Sequence, residues 1–138
     1  MAGYSGTPLP RKLGLQPKFR TLLEAMPADV RADLKDSLSA CELVKQARGP
    51  LDFVMLFVKS QDELQPRIAT LARQLAPAGM LWVAWPKKSS GVPCDLNEND
   101  VRTIGLAAGL VDIKVCAVNE IWSGLKFVIP VAKRKVKS

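Results

Sequence analysis

Histidine is missing altogether from these 138 residues. Its absence removes the commonest general base, the commonest metal ligand and every Ser–His or Cys–His nucleophile pair. Cysteine is scarce. Cys41, Cys94 and Cys116 are odd in number and far apart, with no C-x-x-C pair. That pattern argues against a zinc site or a disulfide framework and fits a reducing cytoplasm. No apolar run reaches the ~18 residues of a membrane span, so no membrane partner is expected. The opening, Met1-Ala2-Gly3-Tyr4-Ser5-Gly6-Thr7, lacks the apolar stretch of a secretory signal. Glycine is absent from 15 to 48, which leaves that stretch without the residue that lets backbone approach a ligand most closely.

What is present is hydrophobic enough to fold. Apolar residues make up 48% of the chain, ruling out disorder throughout, and the length suits one domain. The net charge of +7 resembles a nucleic-acid footprint until it is located. Residues 1–20 hold four bases and no acid, and residues 133–138 hold four more and no acid. Between them, 12 bases stand against 13 acids. The body is nearly neutral and the basicity sits at the ends, which reads more simply as solubilising termini than as a nucleic-acid surface. The expected organisation is a single α/β domain over 1–132 followed by a basic, disordered tail over 133–138.

Along the chain, a short helix is expected over 8–13 and a strand over 19–25. Val30, Leu34 and Leu38, spaced by four, fall on one face of a helix behind Pro27. A weak strand follows over 41–45. The run Leu51-Asp52-Phe53-Val54-Met55-Leu56-Phe57-Val58 is the strongest strand signal. Its near-continuous apolar character belongs to a strand covered on both faces, hence a parallel sheet. Ser60 and Glu63 have capping-box spacing. Leu64, Ile68, Leu71, Ala72 and Leu75 then mark one helix face, with Pro77-Ala78-Gly79 ending it. A second buried strand is predicted over 80–85, with Trp82 and Trp85 in the core. After it come a loop over 86–94 and a helix capped by Asp95 or Asn97, in which Gly105 implies close packing on the sheet. Two alternating stretches, 110–119 and 125–131, flank Ser123-Gly124 and predict an antiparallel hairpin. The predicted fold class is α/β: a Rossmann-like, mostly parallel sheet with helices on both faces and a C-terminal antiparallel hairpin.

From residue 51 onward this order resembles the second half of a class I methyltransferase-type Rossmann fold. The resemblance rests on Asp52 just inside its strand, on Leu75-Ala76-Pro77-Ala78-Gly79, similar to a Leu-x-Pro-Gly-Gly ending, and on the closing helix and hairpin. It covers about the last two-thirds of the chain. The chain as a whole also resembles a bacterial family of unknown function. Here the matching stretches are 1–9, Lys12-Leu13-Gly14, Trp85-Pro86-Lys87-Lys88, 112–118 and 122–127. The methyltransferase resemblance implies S-adenosylmethionine, but the residues depart from that pattern. The first strand runs into Glu24-Ala25-Met26-Pro27 where such folds place a glycine-rich turn. The second ends at Lys45-Gln46, with no acid for ribose hydroxyls. A shortened, degenerate member without the usual cofactor is expected.

Ligands of open α/β sheets sit outside the carboxyl ends of the strands. Lys87, Lys88, Ser89, Ser90 and Gly91 are expected there, with two cations, two hydroxyls and flexible backbone suited to a small anion. The alternative is a solvated connection. Glu120, Trp122, Ser123 and Lys126 surround the hairpin turn. Trp122 either stacks on a ligand ring or folds over the end of the core, with Glu120 and Lys126 as a surface pair. Cys94 reads as an inert thiol, and Tyr4 and Thr7 could fold back over a pocket. Three readings follow. First comes a non-catalytic binding or interaction domain, with a homodimer through the hairpin edge. Next is a small-anion binder or enzyme using the 87–91 loop, and last a nucleic-acid binder through the basic ends. No metal, cofactor or catalytic residue is expected.

Overall fold

The computed structural model describes residues 7–134. Six strands form one sheet: β1 Arg20–Glu24, β2 Glu42–Val44, β3 Leu51–Phe57, β4 Leu75–Pro86, β5 Val111–Ala117 and β6 Trp122–Val128. Their spatial order is β2-β1-β3-β4-β6-β5. β2, β1, β3 and β4 run parallel, and β6 pairs antiparallel with both β4 and β5. The mixed Rossmann-like sheet and its C-terminal hairpin are thus as expected.

β3 explains the layering. Its side chains alternate between two buried layers, with Val54 and Leu56 on one side and Phe53, Met55 and Phe57 on the other. α4 (Gln61–Ala72) and α5 (Glu98–Ala107) cover the first side through Leu64, Ile68, Leu71 and Val101. α1 (Leu9–Leu13), α2 (Ala28–Asp33) and α3 (Lys35–Ser39) cover the second through Leu13, Val30, Leu34 and Leu38. Each of these side chains, fully buried, contributes on the order of 1.5–3 kcal/mol. α1 is fastened to the sheet centre by the buried indole of Trp82, which donates from Nε1 to the Leu13 carbonyl at 2.9 Å.

Three local expectations need correction. The helix expected behind Pro27 is two helices meeting at Leu34 (φ −103°, ψ 2°). Residues spaced by four drift about 40° per step around a straight helix, and the break brings all three back to the sheet. α4 ends at Ala72, so Leu75 opens β4 instead of closing the helix. Leu75 pairs with Leu51 and Met80 pairs with Phe53, which makes 76–79 an excursion inside the strand. Pro77, with no N–H to give a ladder, sits in that excursion. Lys133 belongs to a 3₁₀ turn, Val131–Lys133, and Arg134 Nε donates to the Ile129 carbonyl at 2.9 Å. The rest of the basic tail lies outside the described residues.

Gly105 packs as its sequence position implies. A Cβ there would lie 2.1 Å from Cε1 of Phe127, whose ring is fully buried. The hairpin edge is less regular. β5 exposes Ile113 (56%) and Val115 (47%), and its register with β6 shifts between Asp112 and Lys114.

Candidate functional site at the carboxyl edge

The parallel strands end along one edge, and the chain reverses direction between β1 and β3. β1 leads outward to β2, and β3 leads the other way to β4. That switch point is where ligands of open α/β sheets bind. Here the turn after β1 is built without glycine, yet Ala25 takes a left-handed conformation (φ 57°). The bend is kept while a methyl group stands on it, and Pro27 follows at the cap of α2. Glu24, the last residue of β1, is held by Arg67 of α4. Nε donates to Oε1 at 2.8 Å and Nη2 donates to Oε2. This two-pronged ion pair ties the end of β1 to α4 beside β3.

The loop after β4 closes more of the edge. Asp95 donates its N–H to the Lys59 carbonyl (3.1 Å) and accepts from the Gln61 N–H at Oδ1 (2.8 Å). A carboxylate thereby caps the start of α4, where the helix dipole favours negative charge. At the other end of that helix turn, Ser60 Oγ accepts from Glu63 N–H, while the Glu63 carboxylate accepts from Lys59 N–H instead of completing the box on Ser60. α5 carries the full reciprocal box between Asn97 and Asp100.

Between β4 and α5 lies an open cleft of about 660 Å³. Lys87, Lys88 and Gly91 line it, with Trp85 and Leu96 among its apolar walls. Ser89 and Ser90 do not line it, and neither do Glu120 and Trp122. The Ser90 hydroxyl is spent inside the turn, donating to the Lys87 carbonyl at 2.6 Å and accepting from Val92 N–H. Lys87 is clamped to the hairpin turn: its N–H donates to the Ile121 carbonyl (2.7 Å) and its Nζ to the Asn119 carbonyl (2.8 Å). Lys88 is exposed and has no partner among the described residues. Asp95, Glu98 and Asp100 share the lining, so the cleft as a whole is not cationic.

Trp122 is folded over the end of the core. It is 8% exposed and meets Phe57 edge-on, with ring centroids 5.0 Å apart. The surface pair of Glu120 with Lys126 does not form, because Lys126 lies in mid-strand opposite Trp82 and Lys114. Burial and the charge of Lys114 hold its ammonium below the usual lysine range. Burial, with further help from Asp95, Asp100 and Glu63, pushes the Cys94 thiol up, which makes it a poor nucleophile at neutral pH. Cys116 is pushed up by burial too. All three cysteines are free, and no group of metal-ligating residues occurs among the described residues. No helix among them is long and apolar enough to cross a membrane. Thr7 is exposed, and Tyr4 lies outside the described residues.

The fold belongs to the Rossmann-like class seen in S-adenosylmethionine-dependent methyltransferases. One such enzyme from Aquifex aeolicus is similar with a TM-score of 0.62 at 17% identity, covering 87% of each chain. A TehB-like one from Corynebacterium glutamicum has a TM-score of 0.55 at 10% identity, covering 94% of this chain and 91% of that one. Magnesium protoporphyrin IX methyltransferase from Synechocystis, solved with bound S-adenosylhomocysteine, has a TM-score of 0.57 at 13% identity, covering 88% and 78%. At these identities the likeness is one of fold. The chain itself belongs to the family described as Protein of unknown function (DUF3052), which matches residues 23–131. No curated protein matches it.

Measured against the cofactor such a fold implies, the residues do not fit. Ala25 and Pro27 stand where backbone would have to approach it, the Glu24–Arg67 pair holds the end of β1, and Lys45-Gln46 follows β2. Asp52, part of the sequence resemblance, serves the opposite end of the sheet. Its Oδ2 accepts from Arg20 N–H at 2.8 Å and fastens the start of β1. The Glu24–Arg67 pair had no local sequence signal, since 43 residues separate its partners. Only the topology brings them together.

Proposed function

We propose that this chain works by binding and not by catalysis, on a methyltransferase-like scaffold that has lost its methyl-donor site. The observation that carries this reading is the switch point, where a glycine-less turn and the Glu24–Arg67 ion pair occupy the ground a cofactor needs. The absence of histidine supports it, as do Cys94 and Cys116, whose thiols burial pushes up and away from the thiolate. The three free cysteines fit a cytoplasmic home. Incubation of the purified chain with methyl-labelled S-adenosylmethionine and cell extract tests the reading. It predicts no label transfer above a no-protein control. Turnover that depends on the chain would end it.

A second reading, a small ligand held in the cleft between β4 and α5, draws on the free ammonium of Lys88 and the cleft's size, which suits a metabolite. Its mixed lining favours a zwitterionic ligand over a simple anion. Lys88→Ala should then weaken binding of that ligand without altering the melting temperature. Equal binding by wild type and variant would remove this reading.

A further inference from the structure

The opposite edge of the sheet carries a second cleft, of about 400 Å³, with a different electrostatic character. Its walls come from three segments: the approach to β3 at Gly49 and Pro50, the passage from α4 into β4 between Arg73 and Pro77, and the chain after β6. The segments are locked together. Gly49 N–H donates to the Gln74 side-chain Oε1 at 2.7 Å, and Leu51 N–H donates to the Gln74 carbonyl at 2.8 Å. Arg134 is anchored by Nε to the Ile129 carbonyl, and both terminal NH₂ groups of its guanidinium are uncommitted among the described residues.

Arg73, Lys133 and Arg134 line this cleft, and no carboxylate among the described residues does. The ion pairs among the described residues are Arg20–Glu42, Arg67–Glu24, Arg102–Glu98 and Arg102–Asp112, so none of the three cations is paired with a described carboxylate. Three like charges gathered on one cleft repel each other, and an anion seated among them relieves that repulsion. Two guanidinium forks beside one ammonium suit the oxygens of a phosphate group better than a single carboxylate. Pro50, Pro77 and Ile129 supply an apolar wall beside the charges.

We infer that this amino-edge cleft binds a small phosphorylated molecule, its phosphate held by Arg73, Lys133 and Arg134 and its body lying against Pro50, Pro77 and Ile129. The site is independent of the carboxyl edge and stands whether or not the chain transfers methyl groups. A small ligand is favoured over a nucleic-acid backbone because the body of the chain between 21 and 132 holds slightly more acids than bases. A polymer needs a stripe of many cations.

The test is calorimetric titration of the full chain with pyrophosphate and with a nucleoside diphosphate at constant ionic strength. Saturable one-to-one binding is expected from at least one of them. Arg73→Ala and Lys133→Ala should each weaken it by about ten-fold, as loss of one charge-assisted hydrogen bond does. Lys35→Ala, an exposed cation on α3 that lines neither cleft, should bind as wild type. Both lost side chains are exposed, and circular dichroism melts should match wild type. Failure of both phosphate compounds to bind would overturn the inference. So would binding by the double variant Arg73→Ala/Lys133→Ala equal to wild type, or binding of a short DNA duplex alone with steep salt dependence.

Discussion

The two halves of the sheet are built to different standards. β1 and β2 have five and three residues, and the helices over them have six and five, with no side-chain cap. β3, β4 and β6 have 7, 12 and 7 residues, and the helices on the first face of the sheet, α4 and α5, have 12 and 10, each with a side-chain N-cap. In open α/β sheets a ligand sits at the switch point, which here lies between β1 and β3. The first half is short and the end of β1 is bound to α4 by the Glu24–Arg67 pair, while the second half has a full core and an open cleft. The difference teaches that core and site make separate demands on the sequence, so one sheet can carry a strong core beside a thin flank.

Substitutions in the robust half should cost most. Gly105→Ala drives a methyl group into the buried Phe127 ring, and a loss of about 3 kcal/mol is expected in denaturant unfolding. A loss under about 0.5 kcal/mol would mean that the α5 layer yields as easily as the thin half. Asn97→Ala removes the cap of α5, with an expected loss of about 1 kcal/mol. No equivalent change exists for α2, whose start at Pro27 has no side-chain cap bond to lose.

Much of this contrast was legible in the sequence. The apolar run from Leu51 to Phe57 and the alternation around Leu125 and Phe127 fixed the central strands, because burial on both faces or on one leaves distinct patterns. Gly105 announced its own close contact. The excursion at 76–79 was hidden, since Leu75 continues the helical spacing of α4 as naturally as it opens β4. The candidate sites were less legible. Lys87, Lys88 and Gly91 do meet at a cleft, but its carboxylates come from residues 95–100, which the sequence reads simply as a helix start. The amino-edge cleft joins residues from 49 to 134, a distance across which no local pattern reaches.

Smaller effects sharpen the comparison at the closed edge. Ala25 sits at φ 57°, where glycine is at ease, so Ala25→Gly should stabilise the chain by about 0.5 kcal/mol. Destabilisation would mean that the Ala25 methyl contributes packing there. The smallest effect is electrostatic. Lys126 has its folded-state pKa lowered, first by burial and then by Lys114, so the unfolded chain holds that proton more tightly. Stability therefore rises with pH from the lowered value up to the ordinary 10.5, and the strain of the charged form is fully present below that lowered value. Lys126→Met should raise the melting temperature slightly at pH 7 and flatten the alkaline rise. An unchanged pH profile in the variant would show that the rise has another source.

The central claim is that the switch point no longer accepts a methyl donor, and direct calorimetric titration of the wild-type chain with S-adenosylmethionine and S-adenosylhomocysteine tests it most plainly. The expected result is no saturable heat from either compound at millimolar ligand. Saturable binding, lost when Glu24 and Arg67 are both replaced by alanine, would contradict the account and make the ion pair part of a working cofactor site.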